Sequence, residues 1–371
     1  MSGREGGAVK TGPETRTVAR PGPRGDSADT LWARFRRSKG AMAGLGFVGF
    51  LLVAAYFAPL IANNKPLLIR YEGRWSFPAF RELPPLNHLL PMDAVDLRLA
   101  ADPDWLLDLP AKPDPRVGFF LLPPVPYSPY QTRLRDVNLG PSLSLRHPFG
   151  CDDGGRDVCA RMLYGARVSL LVGFLAVGVA LLIGVAVGAL GGYAGGWVDM
   201  VVVSRLIEVM MCFPTFFLLL AVVAVMDPRY LNAWTVMLVI GLTSWPGLAR
   251  YTRAEFMRLK DSDMAASALA AGAGPVRVAL RHLLPNALTP LLVNATFAIA
   301  GSILLESAVS FLGVGVQPPE PSWGNILSLV TRYWSAWWLG LFPGAAIFLS
   351  VLSYNLVGEG LREALDPHSA G

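Results

Sequence analysis

The chain has 371 residues, of which 53% are hydrophobic and 16% charged, with a mean hydropathy of +0.43. A soluble domain of this length carries nearer to about a quarter charged residues, and the deficit sits in a few long uncharged runs, which excludes an ordinary cytosolic enzyme in favour of a membrane protein. The net charge of +5 and pI of 9.2 are what loop arginines obeying the positive-inside rule give such a protein, so nucleic acid is left out of the partner set. The three cysteines and four histidines show no metal-ligand spacing, and no metal site is predicted.

Residues 1–30 are rich in Gly, Pro and Arg and read as a disordered tail; with the following arginines they make a basic cytoplasmic segment, 1–40. Its GGAVKTG lacks the Gly before Lys and the preceding strand of a phosphate-binding loop, so this chain binds no nucleotide itself. The first span, 41–62, is too long for a signal-peptide core and starts too far into the chain. Residues 63–146 follow as an insertion with many prolines and balanced charges. RYEGRW reads there as a tight turn between two short strands, and the whole as a docking surface for a soluble partner.

Five further spans are read at about 168–190, 200–225, 232–248, 287–312 and 337–357, each near the ~20 residues that cross hydrocarbon while satisfying their own backbone. Arg34, Arg36, Arg37 and Lys39 precede the first span. Arg250, Arg253, Arg258, Lys260, Arg277 and Arg281 lie in the 249–286 loop, while the connections on the other side carry one arginine each. Both termini and that loop are therefore expected in the cytoplasm, and 63–146 outside it. In the second span Ala180, Gly184, Gly188 and Gly192 recur every four residues and line one face for close helix packing.

The spans hold few ionisable groups: Asp199, Arg205 and Glu208 near one end of the third and Glu306 near the outer end of the fifth. An ion-coupled secondary peptide carrier, the rival from another class, needs acids near the midplane, and that equipment is missing. Glu306 is either a hydrogen-bonded packing residue or a lining of the translocation path.

The polar stretch AASALAAGAGPVRVALRHLLPNAL, 265–288, reads as a helical hairpin. Ser262 or Asp263 caps a helix of strong helix formers, Gly272 ends it, and Pro275 opens a second helix that Pro285 stops. In that second helix Val276, Ala279, Leu280, Leu283 and Leu284 share one face, and Arg277 and Arg281 another. Two readings stand: an alanine knob that enters a cleft of another protein, losing little side-chain entropy, or an amphipathic helix resting on lipid.

The pattern A-x3-G-x9-[IL]-x-x-P, here Ala268, Gly272 and LLP at 283–285, resembles the cytoplasmic loop of ABC importer permeases. HPFGCDDGGRDVCARMLYGARVSLLVG (147–173), GGYAGGWVD (191–199), SFLGVGVQPPEPSWGNIL (310–327) and FPGAAIFLSVLSYNLVGEGLREALDP (342–367) are similar to the C-type permeases of dipeptide and oligopeptide importers. The insertion, with KPLLIRYEGRWSFPAF at 65–80, looks like the microcin C-type subgroup with an enlarged outer domain.

The resemblance implies an all-α polytopic fold with six transmembrane helices, a permease domain over 147–367, and a multi-pass place in the bacterial inner membrane. It implies no catalytic residues and no cofactor on this chain, ATP and Mg being held by partner subunits. The partners implied are a homologous second permease, two ATPase subunits, an extracytoplasmic peptide-binding protein and membrane lipid. The imported solute is a di- or oligopeptide, with nickel or another small solute as the alternative.

Coupling to the ATPases is carried over to Asp261, Asp263, Ala266, Ala268, Gly272, Arg277, Arg281 and Pro285, and the translocation path to Phe213, Pro214, Glu306 and Phe311. The family's Glu-Ala-Ala falls on Ala266-Ser267-Ala268, so its acid is missing and Asp261 or Asp263 stands in from a turn earlier. Family members usually carry Thr and an aliphatic residue where this chain has Cys151 and Cys159. Outside the cytoplasm these two are a candidate disulfide, with Asp152 to Gly155 as the turn and a short helix from about Arg156, or else two free thiols.

Overall fold

The computed structural model describes residues 27–84, 86, 92–230 and 232–366. The tail up to residue 26, with its GGAVKTG, lies outside the described residues, as do Pro85 and Pro367.

Helix α1 (Ser27–Phe35) leads into α2 (Lys39–Tyr56), which Ser38 caps by accepting from the Ala41 amide. The first span therefore ends earlier than expected. Pro59, which lacks a donor, opens the separate short helix α3 (Ala58–Ile61).

The insertion then folds on its own small core. Strands β1 (Leu68–Tyr71), β2 (Arg74–Ser76) and β3 (Val117–Leu121) form an antiparallel sheet in the order β2-β1-β3, with Arg70 opposite both Trp75 and Phe119. Glu72 and Gly73 both take positive φ, 49° and 78°, which is how a two-residue hairpin matches strand twist. Helices α4 (Ala94–Ala101) and α5 (Trp105–Asp108) cover one face, burying Ile69, Tyr71, Val95, Leu99, Trp105 and Leu106.

Helix α6 (Val158–Ala194) is 37 residues long, so the short helix expected near Arg156 is the opening of the second span itself. Asp157 caps it, accepting from the Ala160 amide. After a π-helical turn (Val198–Val203) come α7 (Ser204–Cys212) and α8 (Thr215–Val225), bent by 80° at Phe213-Pro214. The third expected span is thus a broken one, because Pro214 cannot continue the hydrogen-bond ladder.

Helix α9 (Ala233–Lys260) takes in the fourth expected span but runs twelve residues past Leu248, which shortens the loop before the next helix. The fifth is the end of a 37-residue helical run, Pro275–Phe311, and the sixth is α14 (Trp338–Leu365). Among the described residues four helices are long and apolar enough to cross a bilayer, and the bent α7–α8 pair makes a fifth. The expected count of six is reached only by adding α9, whose tryptophans, Pro246 and basic last turns dilute its apolar run.

The core of the membrane part is α6 against α9. A Cβ on Gly188 would lie 2.4 Å from the Ala249 carbonyl oxygen, and one on Gly192 2.5 Å from that of Arg253. The stripe of small residues is therefore the contact line of these two helices, as its spacing indicates.

Candidate functional site

The hairpin is made of α10 (Asp263–Ala270), α11 (Pro275–Arg277), a π-helical turn (Val278–Leu283) and α12 (Leu284–Phe311). Ser262 is the cap, its hydroxyl facing the Ala265 amide at 3.5 Å and donating to the Leu259 carbonyl at 2.6 Å. At the other end the Ala273 amide donates to the Ala268 carbonyl (3.0 Å) and the Gly272 amide to that of Leu269 (2.9 Å), with Gly272 at φ +80°. That pair of bonds is a Schellman closure, and it needs a residue without a Cβ at 272.

Two expectations about the second half are corrected. Pro285 does not stop the helix. The wider i→i+5 turn before it absorbs the missing donor, and the chain continues unbroken into α12. The apolar face is also rotated: Val278 and Leu283 are buried, whereas Val276 and Leu280 are 69% and 61% exposed. These two rim an apolar groove of about 320 Å³ whose other wall is Val185, Ala189 and Tyr193 of α6.

The hairpin is rooted firmly. Ala265, Val278, Leu283, Ala287 and Leu291 pack with Phe256 and Leu259 of α9, and Ala268 leans on the same cluster. Lys260 donates to the Tyr193 carbonyl at 2.7 Å and lies over the Tyr193 ring, tying the ends of α6 and α9 together. Above this, Nε and Nη2 of Arg253 donate to the two carboxylate oxygens of Asp199. Outward, Asp261, Asp263, Ala266, Ser267, Leu269, Ala270, Gly272, Arg277 and Arg281 are all exposed. Of the coupling candidates, Ala268 alone is half-buried; Pro285 is exposed like the rest. The arrangement is a smooth, rigid knob, small in side chain, carried on the ends of two long helices.

The path candidates are not brought together. Phe213 and Pro214 sit exposed at the α7–α8 bend. Phe311 lines an apolar cavity of about 780 Å³ with Phe216, Leu304, Ile347 and Phe348. Glu306 is outside that lining and completely buried, accepting from Ser310 at 2.7 Å and facing the Ser307 hydroxyl at 3.4 Å, with Ser169 and Ser322 also turned to it. Of the two readings for Glu306, this geometry is that of the hydrogen-bonded packing residue, joining α12 to α6 and to the start of helix α13 (Trp323–Ser328).

The candidate disulfide is corrected: Cys151 and Cys159 are free thiols. Cys151 pairs backbone to backbone with Asp157 and lies by His147, whereas Cys159, the second residue of α6, packs towards Ala62, Val125 and Tyr127. The turn from Asp152 to Gly155 forms, closed by the Gly155 amide on the Asp152 carbonyl at 3.0 Å. It directs the two side chains into different neighbourhoods. Sequence reading missed the buried group His147, Cys151 and Asp157, whose signal is three polar residues spaced H-x3-C-x5-D just before a span.

An all-α polytopic membrane protein with a helical knob at the foot of two packed spans has the build of a transport permease. Residues 180–370 match the family model described as binding-protein-dependent transport system inner membrane component, and residues 28–85 match the N-terminal TM domain of oligopeptide transport permease C.

The chain belongs to this binding-protein-dependent permease family. It is 33% identical to the di/tripeptide transport system permease protein DppC of Pseudomonas aeruginosa over 91% of both chains. It is 42% identical to the dipeptide transport system permease protein DppC of Alkalihalophilus pseudofirmus over 62% of this chain and 73% of the other. A putative peptide permease protein of Brucella ovis is 39% identical over 66% of this chain and 80% of its own. The protein is therefore a multi-pass inner-membrane transporter subunit that works with other ABC components and is not by itself an enzyme.

Proposed function

We propose that the chain is one permease subunit of an ATP-driven importer of di- and oligopeptides, forming half of the translocation pathway. The observation that carries this is the hairpin at 262–285: an exposed alanine knob, closed by a Schellman turn and rooted in the α6–α9–α12 core. A rigid helix of small residues docks into a cleft at little entropic cost, and movement of that cleft is transmitted directly to two spans. The peptide-permease relatives at 33–42% identity support the substrate class.

The partners in this reading are a homologous second permease, two ATPase subunits that hold ATP and Mg, and an extracytoplasmic peptide-binding protein. This chain itself holds no nucleotide or other cofactor. Both termini and the hairpin lie in the cytoplasm and the 63–146 insertion outside, in line with the arginines that flank the hairpin. ATP closes the ATPases, the docked hairpins follow, and the spans exchange inward-open and outward-open arrangements.

The test is a pair of surface substitutions on the knob, Ala266→Arg and Leu269→Asp. Both side chains are exposed, so the hairpin itself stays folded. Co-purification of the ATPase subunits and ATP-dependent peptide uptake should both fall at least tenfold. Unchanged co-purification would refute the docking role.

A further inference from the structure

We propose that His147, Cys151 and Asp157 form a buried three-donor site for one borderline-soft divalent cation, Zn2+ being the type. One ligand atom from each of the three lies within 4.8 Å of the others, and the residues are 1%, 0% and 1% exposed. Imidazole, thiol and carboxylate together suit zinc, while magnesium and calcium select oxygen donors alone.

The backbone holds the three donors in place without any ion. The Cys151 amide donates to the Leu139 carbonyl at 2.8 Å, the Asp152 amide to Arg156 at 3.0 Å, and the Val158 amide to Gly150 at 2.9 Å. Trp338 reaches across from α14 to donate to the Cys151 carbonyl at 3.0 Å.

His147 Nδ1 is 2.7 Å from Asp157 Oδ2, and the other oxygen of Asp157 accepts from the Ala160 amide. A cation would take the place of the hydrogen bond between Nδ1 and Oδ2 and leave the helix cap intact. In a tetrahedral zinc shell with ligand bonds of about 2.0–2.2 Å, neighbouring donors stand about 3.4 Å apart, so these two need to part by less than about 1 Å. Binding displaces the Sγ proton to solvent, and the Nδ1 proton moves to Nε2 by tautomer exchange. There it faces Asp136, whose carboxylate oxygen is 3.7 Å away and is itself held by Arg133 at 2.9 Å. A carboxylate behind the far nitrogen is the usual support of a metal-bound imidazole.

The Tyr127 ring stacks on His147 at 4.1 Å, so the ion would pin the insertion to the first turn of α6.

The test uses the full-length protein, stripped with chelator and titrated with Zn2+ and, separately, Co2+. One zinc per chain should bind, and cobalt should give a thiolate charge-transfer band. Cys151→Ala should lose the band and at least tenfold in zinc affinity, while Cys159→Ser and Cys212→Ser keep both. No stoichiometric zinc, cobalt bound without a thiolate band, or equal binding by Cys151→Ala would overturn the proposal. Because the readout is metal binding, its failure leaves the transport reading untouched.

Discussion

Gly188→Ala adds one methyl group at the middle of the α6–α9 contact. The new Cβ would lie 2.4 Å from the Ala249 oxygen, 2.7 Å from Thr252 Cβ and 2.9 Å from the Arg253 nitrogen. Carbon and oxygen rest at about 3.3 Å, so the helices must part by about 0.9 Å or bend. Two of the three atoms are backbone, which leaves no side chain to swing aside. Overpacking of this kind costs about 1–3 kcal/mol, against about 0.5–1 kcal/mol gained by replacing glycine in a helix. The net is a loss on the order of 1–2 kcal/mol. The control is Gly178→Ala on the same helix, whose Cβ meets nothing within 4 Å. It should keep the helix gain and lose nothing. Thermal unfolding of the two purified variants, with wild type alongside, reads the difference as a lower midpoint for Gly188→Ala alone. Equal midpoints, or an equal fall for both, would refute the packing account. Since α9 runs on into the hairpin, ATP-dependent uptake should fall with the midpoint.

Gly272→Ala should weaken ATPase co-purification through the backbone, about 1–2 kcal/mol for a side chain at positive φ, because nothing stands within 4 Å of its Cβ; Gly272→Asn should be milder. Normal coupling in Gly272→Val would count against the Schellman turn as the rigid element. Glu306→Ala strands the Ser307 and Ser310 hydroxyls and should cost about 1–3 kcal/mol, whereas Glu306→Gln keeps an acceptor and should assemble and transport normally. Altered transport by an intact Glu306→Gln complex would instead place it on the path. In a cysteine-free background, a cysteine at exposed Leu143 should react with an impermeant thiol reagent added outside cells and one at exposed Ala270 should not; the reverse pattern inverts the topology. Mass spectrometry of the alkylated, non-reduced protein should find both Cys151 and Cys159 modified.

Local rules carried the sequence reading furthest where one residue decides the backbone. The Glu72-Gly73 turn, the Ser262 cap and the Gly272 stop are all in place, and the glycine stripe does mark a helix contact. Pro285 was misread because a proline stops a helix only if the turn before it is regular. The π turn at Val278–Leu283 packs against α6 and α9, contacts that no local pattern announces. The same turn rotates Val276 and Leu280 away from the core. The two thiols looked able to meet because they are eight residues apart, but the Cys151–Asp157 pairing and the start of α6 send them to different sides. The serines around Glu306 come from three separate elements, so only the fold brings them to the carboxylate.

The most direct test of the account is peptide uptake into proteoliposomes that contain this chain with its second permease and ATPases, with the peptide-binding protein on the opposite face. Labelled dipeptide should accumulate only when ATP is supplied on the hairpin side, and a proton or sodium gradient alone should move none. Uptake driven by an ion gradient without ATP would contradict it.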